Sequence, residues 1–111
     1  MNKLLLNYST QEKLEKIFAV NTIGVITSLQ EGLITIEEAE KMIFSPRTMN
    51  LVKTKGASEE LLNILHLGTE LEDVESLIPH ELKSSLEEIK IQCLNLLKNR
   101  AENKINDHIY E

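Results

Sequence analysis

Helix-start signals recur along this chain, each directly before a segment whose apolar residues repeat with helical spacing. Ser or Thr followed three residues later by Glu can form a capping box, which satisfies backbone N–H groups that the first helical turn leaves free. This spacing occurs at Ser9–Glu12, Thr35–Glu38 and Thr69–Glu72. Ser45 before Pro46, and Ser58 before two glutamates, favour two further helix starts. The signals predict a chain of several capped helices.

Glycines mark the predicted helix ends. Gly32, Gly56 and Gly68 each follow an apolar-periodic run, and a glycine with positive φ often closes a helix. Gly68 is expected to end a fourth helix of about 59–67, before a fifth helix of about 70–78. Gly24 lies inside the first predicted helix, where an interior glycine weakens the expectation of an unbroken helix.

The predicted fold is all-α, a single compact helical domain over residues 1–111. Two long helices, at about 10–31 and 79–100, pack with three or four short helices. Residues 1–8 are predicted to form an N-terminal arm on the core, and residues 102–111 a tail that either continues the last helix or frays.

Each long helix has a predicted buried stripe. The stripe of the first helix comprises Leu14, Ile17, Phe18, Val25 and Leu29, widened by Val20, Ile23 and Ile26. That of the last helix comprises Leu82, Leu86, Ile89, Cys93, Leu96 and Leu97. Cys93 is therefore expected to be a buried, unreactive thiol.

Composition excludes several classes of protein. A chain of 111 residues, 41% apolar, can bury one modest core. The formal net charge of −6 argues against a nucleic-acid partner, whose phosphates would be repelled. With one cysteine and no apolar run long enough for a signal peptide or a membrane span, the sequence predicts a cytoplasmic protein that does not bind membranes.

Charge is sharply segregated along the middle of the chain. Between Lys55 and Lys83 there are seven carboxylates and no Lys or Arg, whereas residues 41–58 carry four cations and no acid. Such segregation creates a directional field that can steer a basic partner. The candidate partner-binding residues are Glu59, Glu60, Glu70, Glu72, Asp73 and Glu75. The alternative interpretation is a solvated face with no partner.

Two segments of the sequence are distinctive: LITIEEAEKMIFSP over 33–46 and ILHLGTELEDVESLIP over 64–79. Together they resemble a family of small bacterial proteins that share a domain of unknown function. The resemblance covers most of the chain, and its most specific part is 66–77. It implies a small, soluble, single-domain bacterial protein and supplies no activity or catalytic residues.

Catalytic chemistry has little support in the sequence. The cluster from His66 to Asp73 suggests a site at a helix start, but capping by Thr69 and dipole compensation by the acids are the favoured interpretation and explain every residue except His66. Glu37, Glu40, Glu70 and Asp73 form two carboxylate pairs at one-turn spacing. They are similar to the pairs with which all-α nucleotide pyrophosphatases bind Mg²⁺.

The leading hypothesis is a non-enzymatic protein, without cofactor or metal, that binds a basic surface on another protein. Its most concrete form is an immunity or antitoxin-type inhibitor. The alternatives are a Mg²⁺-dependent nucleotide hydrolase and a structural or adaptor subunit, such as a homodimer formed through the first or last helix. A hydrolase requires the four carboxylates to converge in a cavity. A binding protein requires the carboxylates to be exposed on one face, and a dimer requires an apolar stripe that the chain leaves uncovered.

Overall fold

The computed structural model describes the backbone of residues 2–109 and the side chains of residues 11–101. Within that part, the chain forms α-helices and one 3-10 turn, and it contains no strand. The helices are α1 (Asn2–Gln30), α2 (Ile36–Met42), α3 (Pro46–Thr54), α4 (Glu59–Thr69), α5 (Leu71–Leu77) and α6 (Leu82–Ile109), and the 3-10 turn is Pro79–Glu81. The all-α prediction is confirmed.

Three predicted helix caps are confirmed. Thr35 and Glu38 form the reciprocal capping box of α2, in which the Glu38 N–H donates to Thr35 Oγ1 at 3.1 Å and the Thr35 N–H donates to Glu38 Oε1 at 3.2 Å. Ser45 caps α3 ahead of Pro46, accepting from the Thr48 N–H at 3.1 Å. Ser58 caps α4 and accepts from the Leu61 N–H at 3.3 Å. These caps fix where the short helices begin.

The two long helices are antiparallel neighbours. Near the end of α1, Gln30 donates to Glu87 at 2.9 Å and accepts from Lys90 at 3.0 Å, both in the first half of α6. In the N-terminal half of α1, Glu15 is paired instead with Arg100, much farther along α6. The short helices pack against this pair, and the core between them contains Phe44, Leu61, Ile64, Leu65, Leu71, Ile89 and Leu96.

The ends of the long helices differ from the prediction. Helix α1 begins at Asn2 rather than near Thr10, so the proposed arm of residues 1–8 is helical from Asn2 onward. Ser9 lies inside α1, and no helix starts there. The reason is that neither Gly nor Pro interrupts residues 2–23, which include the strong helix former Leu three times in succession. Gly24 also leaves α1 unbroken.

At the other end, Pro79 starts the 3-10 turn, and α6 follows from Leu82. Helix α6 then continues to Ile109, nine residues past the predicted end, so the backbone of the tail follows the helical alternative. The side chains of residues 102–111, and with them the packing of the tail, lie outside the described residues.

The prediction for Gly68 is wrong. Positive φ occurs at Gly32 (72°) and Gly56 (84°), as expected, but not at Gly68, which lies within α4. Thr69 does not cap α5, because its hydroxyl donates to the His66 carbonyl at 2.6 Å. The chain instead turns from α4 into α5 through Glu70, whose φ of −87° and ψ of −8° remain right-handed.

The buried stripe of α1 is also displaced from the predicted one. Its fully buried positions are Glu15, Ala19, Thr22 and Ile26. Ile17 and Val20 were expected to be buried, yet they are 57% and 52% exposed. By contrast, Leu86, Ile89, Cys93 and Leu96 of α6 are buried as predicted. The exposed side of α1 therefore includes two large apolar side chains among its charged and polar residues.

Candidate protein-binding surface

The acidic residues of α2 and α5 face one another because these two helices pack together. Half-buried Glu40 on α2 lies beside Glu72 on α5, and Glu37 and Asp73 lie close enough to act on its charge. We call Glu37, Glu40, Glu70, Glu72, Asp73 and Glu75 the acidic surface. Burial, followed by the interaction with the Glu72 side chain and the neighbouring negative charges, raises the pKa of Glu40.

All six residues predicted to bind a partner are exposed, but they do not form one patch. Glu70, Glu72, Asp73 and Glu75 belong to the acidic surface. Glu59 and Glu60 lie in the first turn of α4, at the opposite end of that helix. At a rise of about 1.5 Å per residue, Glu60 is roughly 15 Å from Glu70 along the axis. The structure thus divides the predicted set in two.

Few cations neutralise the acidic surface. Lys41 Nζ lies 3.6 Å from Glu37 Oε1, and the side chains of both residues are more than three-quarters exposed. His66 Nε2 lies 3.0 Å from Glu70 Oε1 and is charged only when protonated. Among residues 11–101, no ion pair involves Glu40, Glu72, Asp73 or Glu75. The basic residues Arg47 and Lys53 form no ion pair with Glu59 or Glu60 in this part either. The surface therefore keeps most of its negative charge.

Exposed apolar side chains adjoin these carboxylates at the end of α5. Leu77 follows Asp73 by one helical turn and is 78% exposed, and Ile78 is 38% exposed. Protein interfaces commonly combine an apolar contact with a charged rim. The acidic surface is therefore bordered by exposed apolar side chains.

The metal-dependent alternative depends on where four carboxylates lie. That hypothesis needs Glu37, Glu40, Glu70 and Asp73 to converge in one cavity, yet Glu70 is paired with His66. Within the described side chains, no group of three or more His, Cys, Asp or Glu is arranged to hold a metal ion. A cleft of about 180 Å³ between α4 and α6 is lined by Glu60, three amide side chains and two apolar residues, and it contains none of these four carboxylates.

Comparison with known proteins adds a family but no activity. The family model described as "Protein of unknown function (DUF3969)" matches residues 9–111. The chain belongs to the DUF3969 family. Neither the curated proteins nor the solved structures gave a match. No helix in residues 2–109 of this DUF3969 protein has both the length and the apolar character needed to cross a membrane.

One polar cluster was missed by the sequence reasoning. Glu15 is only 2% exposed, and its carboxylate accepts from Arg100 Nη2 at 3.1 Å, from the Ser58 N–H at 3.2 Å and from the Ser58 hydroxyl. It thereby joins α1, the cap of α4 and α6. Glu15 shares its helix face with Ala19, Thr22 and Ile26, and this spacing could have revealed a carboxylate facing the core. Its contacts are all internal, which indicates a structural role.

Proposed function

We propose that this DUF3969 protein is a non-catalytic protein-binding protein whose acidic surface docks against a basic surface of another protein. The observation that carries the proposal is the packing of α2 on α5, which brings Glu40 close to Glu72 and Asp73, three carboxylates that form no ion pair among residues 11–101. Like charges brought together cost stability unless something else offsets them. A cationic partner would remove that cost on binding.

The partner is expected to be a protein rather than a nucleic acid or a membrane. Nucleic-acid phosphates and anionic headgroups would be repelled by this surface. Exposed Leu77 beside Asp73 supplies the apolar contact that a protein partner can bury. In its most specific form, the proposal is an immunity or antitoxin-type inhibitor in the bacterial cytoplasm that covers a basic active site.

The test compares two charge reversals of equal size. The first variant, Glu72→Lys/Asp73→Lys, changes the acidic surface. The control, Glu59→Lys/Glu60→Lys, changes the other half of the predicted set, at the far end of α4. Wild type and both variants would be used to capture partners from cells of the source organism, and captured proteins would be identified by mass spectrometry. Thermal unfolding would establish that all three chains fold.

Association rates with a purified partner then decide the question. We expect the first variant to lose capture, and wild-type association to slow steeply with added salt, since steering by exposed charges is screened. The control should associate nearly as fast as wild type. Equal association by all three chains, or association indifferent to salt, would show that the acidic surface is only a solvated face.

A further inference from the structure

The exposed back of α1 carries a regular stripe of residues. Positions spaced alternately four and three apart lie on the side of the helix opposite Glu15, Ala19, Thr22 and Ile26. They are Lys13, Ile17, Val20, Gly24, Thr27 and Glu31. Glu31 lies just past α1, but its N–H still donates to the Thr27 carbonyl at 3.0 Å, so it continues the helical register. We call this set the α1 stripe.

The middle of the α1 stripe is apolar and open. Ile17 is 57% and Val20 52% exposed, and the two lie one helical turn apart. Gly24 leaves a gap in the ridge, because a Cβ placed there would have nothing within 4 Å. The stripe thus presents an apolar ridge, formed by Ile17 and Val20, next to a notch at Gly24.

A groove runs beside the stripe, between α1 and the end of α2. Its volume is about 710 Å³. It is lined by Phe18, Val20, Asn21, Gly24, Val25, Ser28, Ile34, Met42 and Ile43. Met42 on the far wall is 60% exposed. The groove therefore extends the uncovered apolar area from α1 onto α2.

The order of residues along the α1 stripe is self-complementary. When the stripe is paired with a reversed copy of itself about position 22, Lys13 lies opposite Glu31, Ile17 opposite Thr27, and Val20 opposite Gly24. At both ends of the pairing, the Lys13 ammonium group then lies against the Glu31 carboxylate of the other helix. Each Val20 side chain lies against Gly24 of the other helix. Within residues 11–101, neither Lys13 nor Glu31 forms an ion pair with another side chain.

We propose that the occupant of this face is a second copy of the chain, docked through α1 in antiparallel orientation about a twofold axis. A twofold interface uses the same patch on both subunits. A stripe whose residues complement those of its own reversed copy can therefore form both halves of such an interface. A parallel pairing would place Lys13 against Lys13 and Glu31 against Glu31, and like charges oppose it. The α1 stripe is separate from the acidic surface, so this inference does not rest on the proposed function.

Most of the attraction in such a dimer comes from apolar burial of Ile17, Val20 and Met42, since exposed ion pairs contribute little. The charges set the orientation. The first measurement is therefore sedimentation velocity of the full chain over a dilution series, from about 300 to about 1 μM. We expect a species of twice the 12.7 kDa chain mass at high concentration, dissociating on dilution. A monomer throughout the series would overturn the proposal.

Two substitutions test the location of the interface. Gly24→Leu fills the notch from a position where an added Cβ meets nothing within 4 Å in its own chain, and we expect it to weaken the dimer at least tenfold while leaving the helix intact. Val20→Glu should act in the same direction. The matched control is Leu51→Glu on α3, because Leu51 is 55% exposed, close to the 52% of Val20. A dimer unaffected by Gly24→Leu, or equally weakened by Leu51→Glu, would refute this interface.

A charge swap tests the antiparallel orientation. Lys13→Glu and Glu31→Lys should each weaken the dimer, since each creates two like-charge contacts across the twofold axis. The double variant Lys13→Glu/Glu31→Lys restores both opposite-charge contacts and should recover most of the wild-type affinity at low salt. Thermal unfolding of each chain at low concentration reports whether the monomer folds. A double variant as weak as the single variants would exclude the antiparallel arrangement.

Discussion

The ring of Phe44 occupies the space beside Gly68 in which any other residue would place its Cβ. A Cβ built on Gly68 would lie well within 3.0 Å of three ring carbons of Phe44, which is 2% exposed. Phe44 follows α2, and Gly68 lies in the last turn of α4. The absence of a side chain at Gly68 thus allows the two segments to pack in contact.

Gly68→Ala and Gly24→Ala are therefore expected to change stability in opposite directions. In a helix, Ala is favoured over Gly by up to about 1 kcal/mol. At Gly24, where the space is open, the substitution should stabilise the chain by about 0.5–1 kcal/mol. At Gly68 the overlap with Phe44 should outweigh that gain and destabilise the chain by about 1–3 kcal/mol. Urea unfolding of both variants checks the prediction, and stabilisation by Gly68→Ala would contradict it.

Gly68 and Phe44 show which contacts of the fold could be predicted from the sequence and which could not. Caps such as Thr35 with Glu38 could be predicted because the groups involved lie within one turn of each other. The function of Gly68 could not, since it depends on Phe44, 24 positions away in the sequence. A glycine near a helix end is compatible with both a positive φ and a close contact, and only the tertiary packing distinguishes them.

Leu86 is the clearest test of the core along α6. It is 6% exposed, whereas Leu94 on the same helix is 39% exposed. We expect Leu86→Ala to lower the free energy of unfolding by about 2–5 kcal/mol, because it removes buried methyl groups and leaves a cavity. Leu94→Ala should cost less than about 1 kcal/mol. Equal losses in chemical unfolding would mean that a different face of α6 is buried.

The ion pair between Glu15 and Arg100 should stabilise the fold more than the exposed pair between Glu37 and Lys41. Arg100→Met keeps an apolar side chain but leaves the Glu15 carboxylate, which is 2% exposed, without its cation. We expect a loss of about 1–3 kcal/mol that changes little with salt. The matched control Lys41→Met should cost no more than about 0.5 kcal/mol. Similar losses for the two variants would contradict the structural role of Glu15.

The candidate surface was only partly predictable from the sequence. Exposure of Glu70, Glu72 and Asp73 followed from the apolar positions of α5, which place them away from the core. The contribution of Glu40 did not follow, because the sequence does not say that α2 lies against α5. For the same reason, the sequence groups Glu59 and Glu60 with acids that are distant in the structure. Residues that are close along the chain can be far apart in space, and here the length of α4 separates them.

Cys93 should be an unreactive thiol in the folded chain. It is fully buried, and burial raises the pKa of the Cys93 thiol to about 11. At pH 8 the reactive thiolate is therefore scarce as well as inaccessible. We expect a thiol-specific chromogenic reagent to react slowly with native protein and rapidly in denaturant. The variant Leu94→Cys adds an exposed thiol one position away and should show one fast and one slow phase; a fast native reaction of wild type would contradict the burial of Cys93.

Glu40→Gln should stabilise the chain at neutral pH. A carboxyl whose pKa is raised on folding holds its proton more tightly in the folded than in the unfolded chain, so stability falls as pH rises between the two pKa values. At pH values above both pKa values, Glu40 is ionised in the folded chain. Its charge then lowers the stability of the fold, because it is partly buried and lies beside Glu72 and Asp73. Gln removes the charge and retains the ability to form a hydrogen bond with Glu72.

The pH dependence separates this effect from ordinary packing. As the pH falls through the ordinary glutamate pKa of about 4.3, wild-type Glu40 becomes protonated in both states, and the advantage of Glu40→Gln should shrink. The control is Glu12→Gln, an exposed position in the N-terminal half of α1, which should alter stability little at either pH. Thermal unfolding midpoints at pH 4 and pH 7 give the comparison. If Glu40→Gln is neutral or destabilising at pH 7, the carboxylates of α2 and α5 do not repel one another, and the proposed docking surface loses the electrostatic cost that a basic partner would relieve.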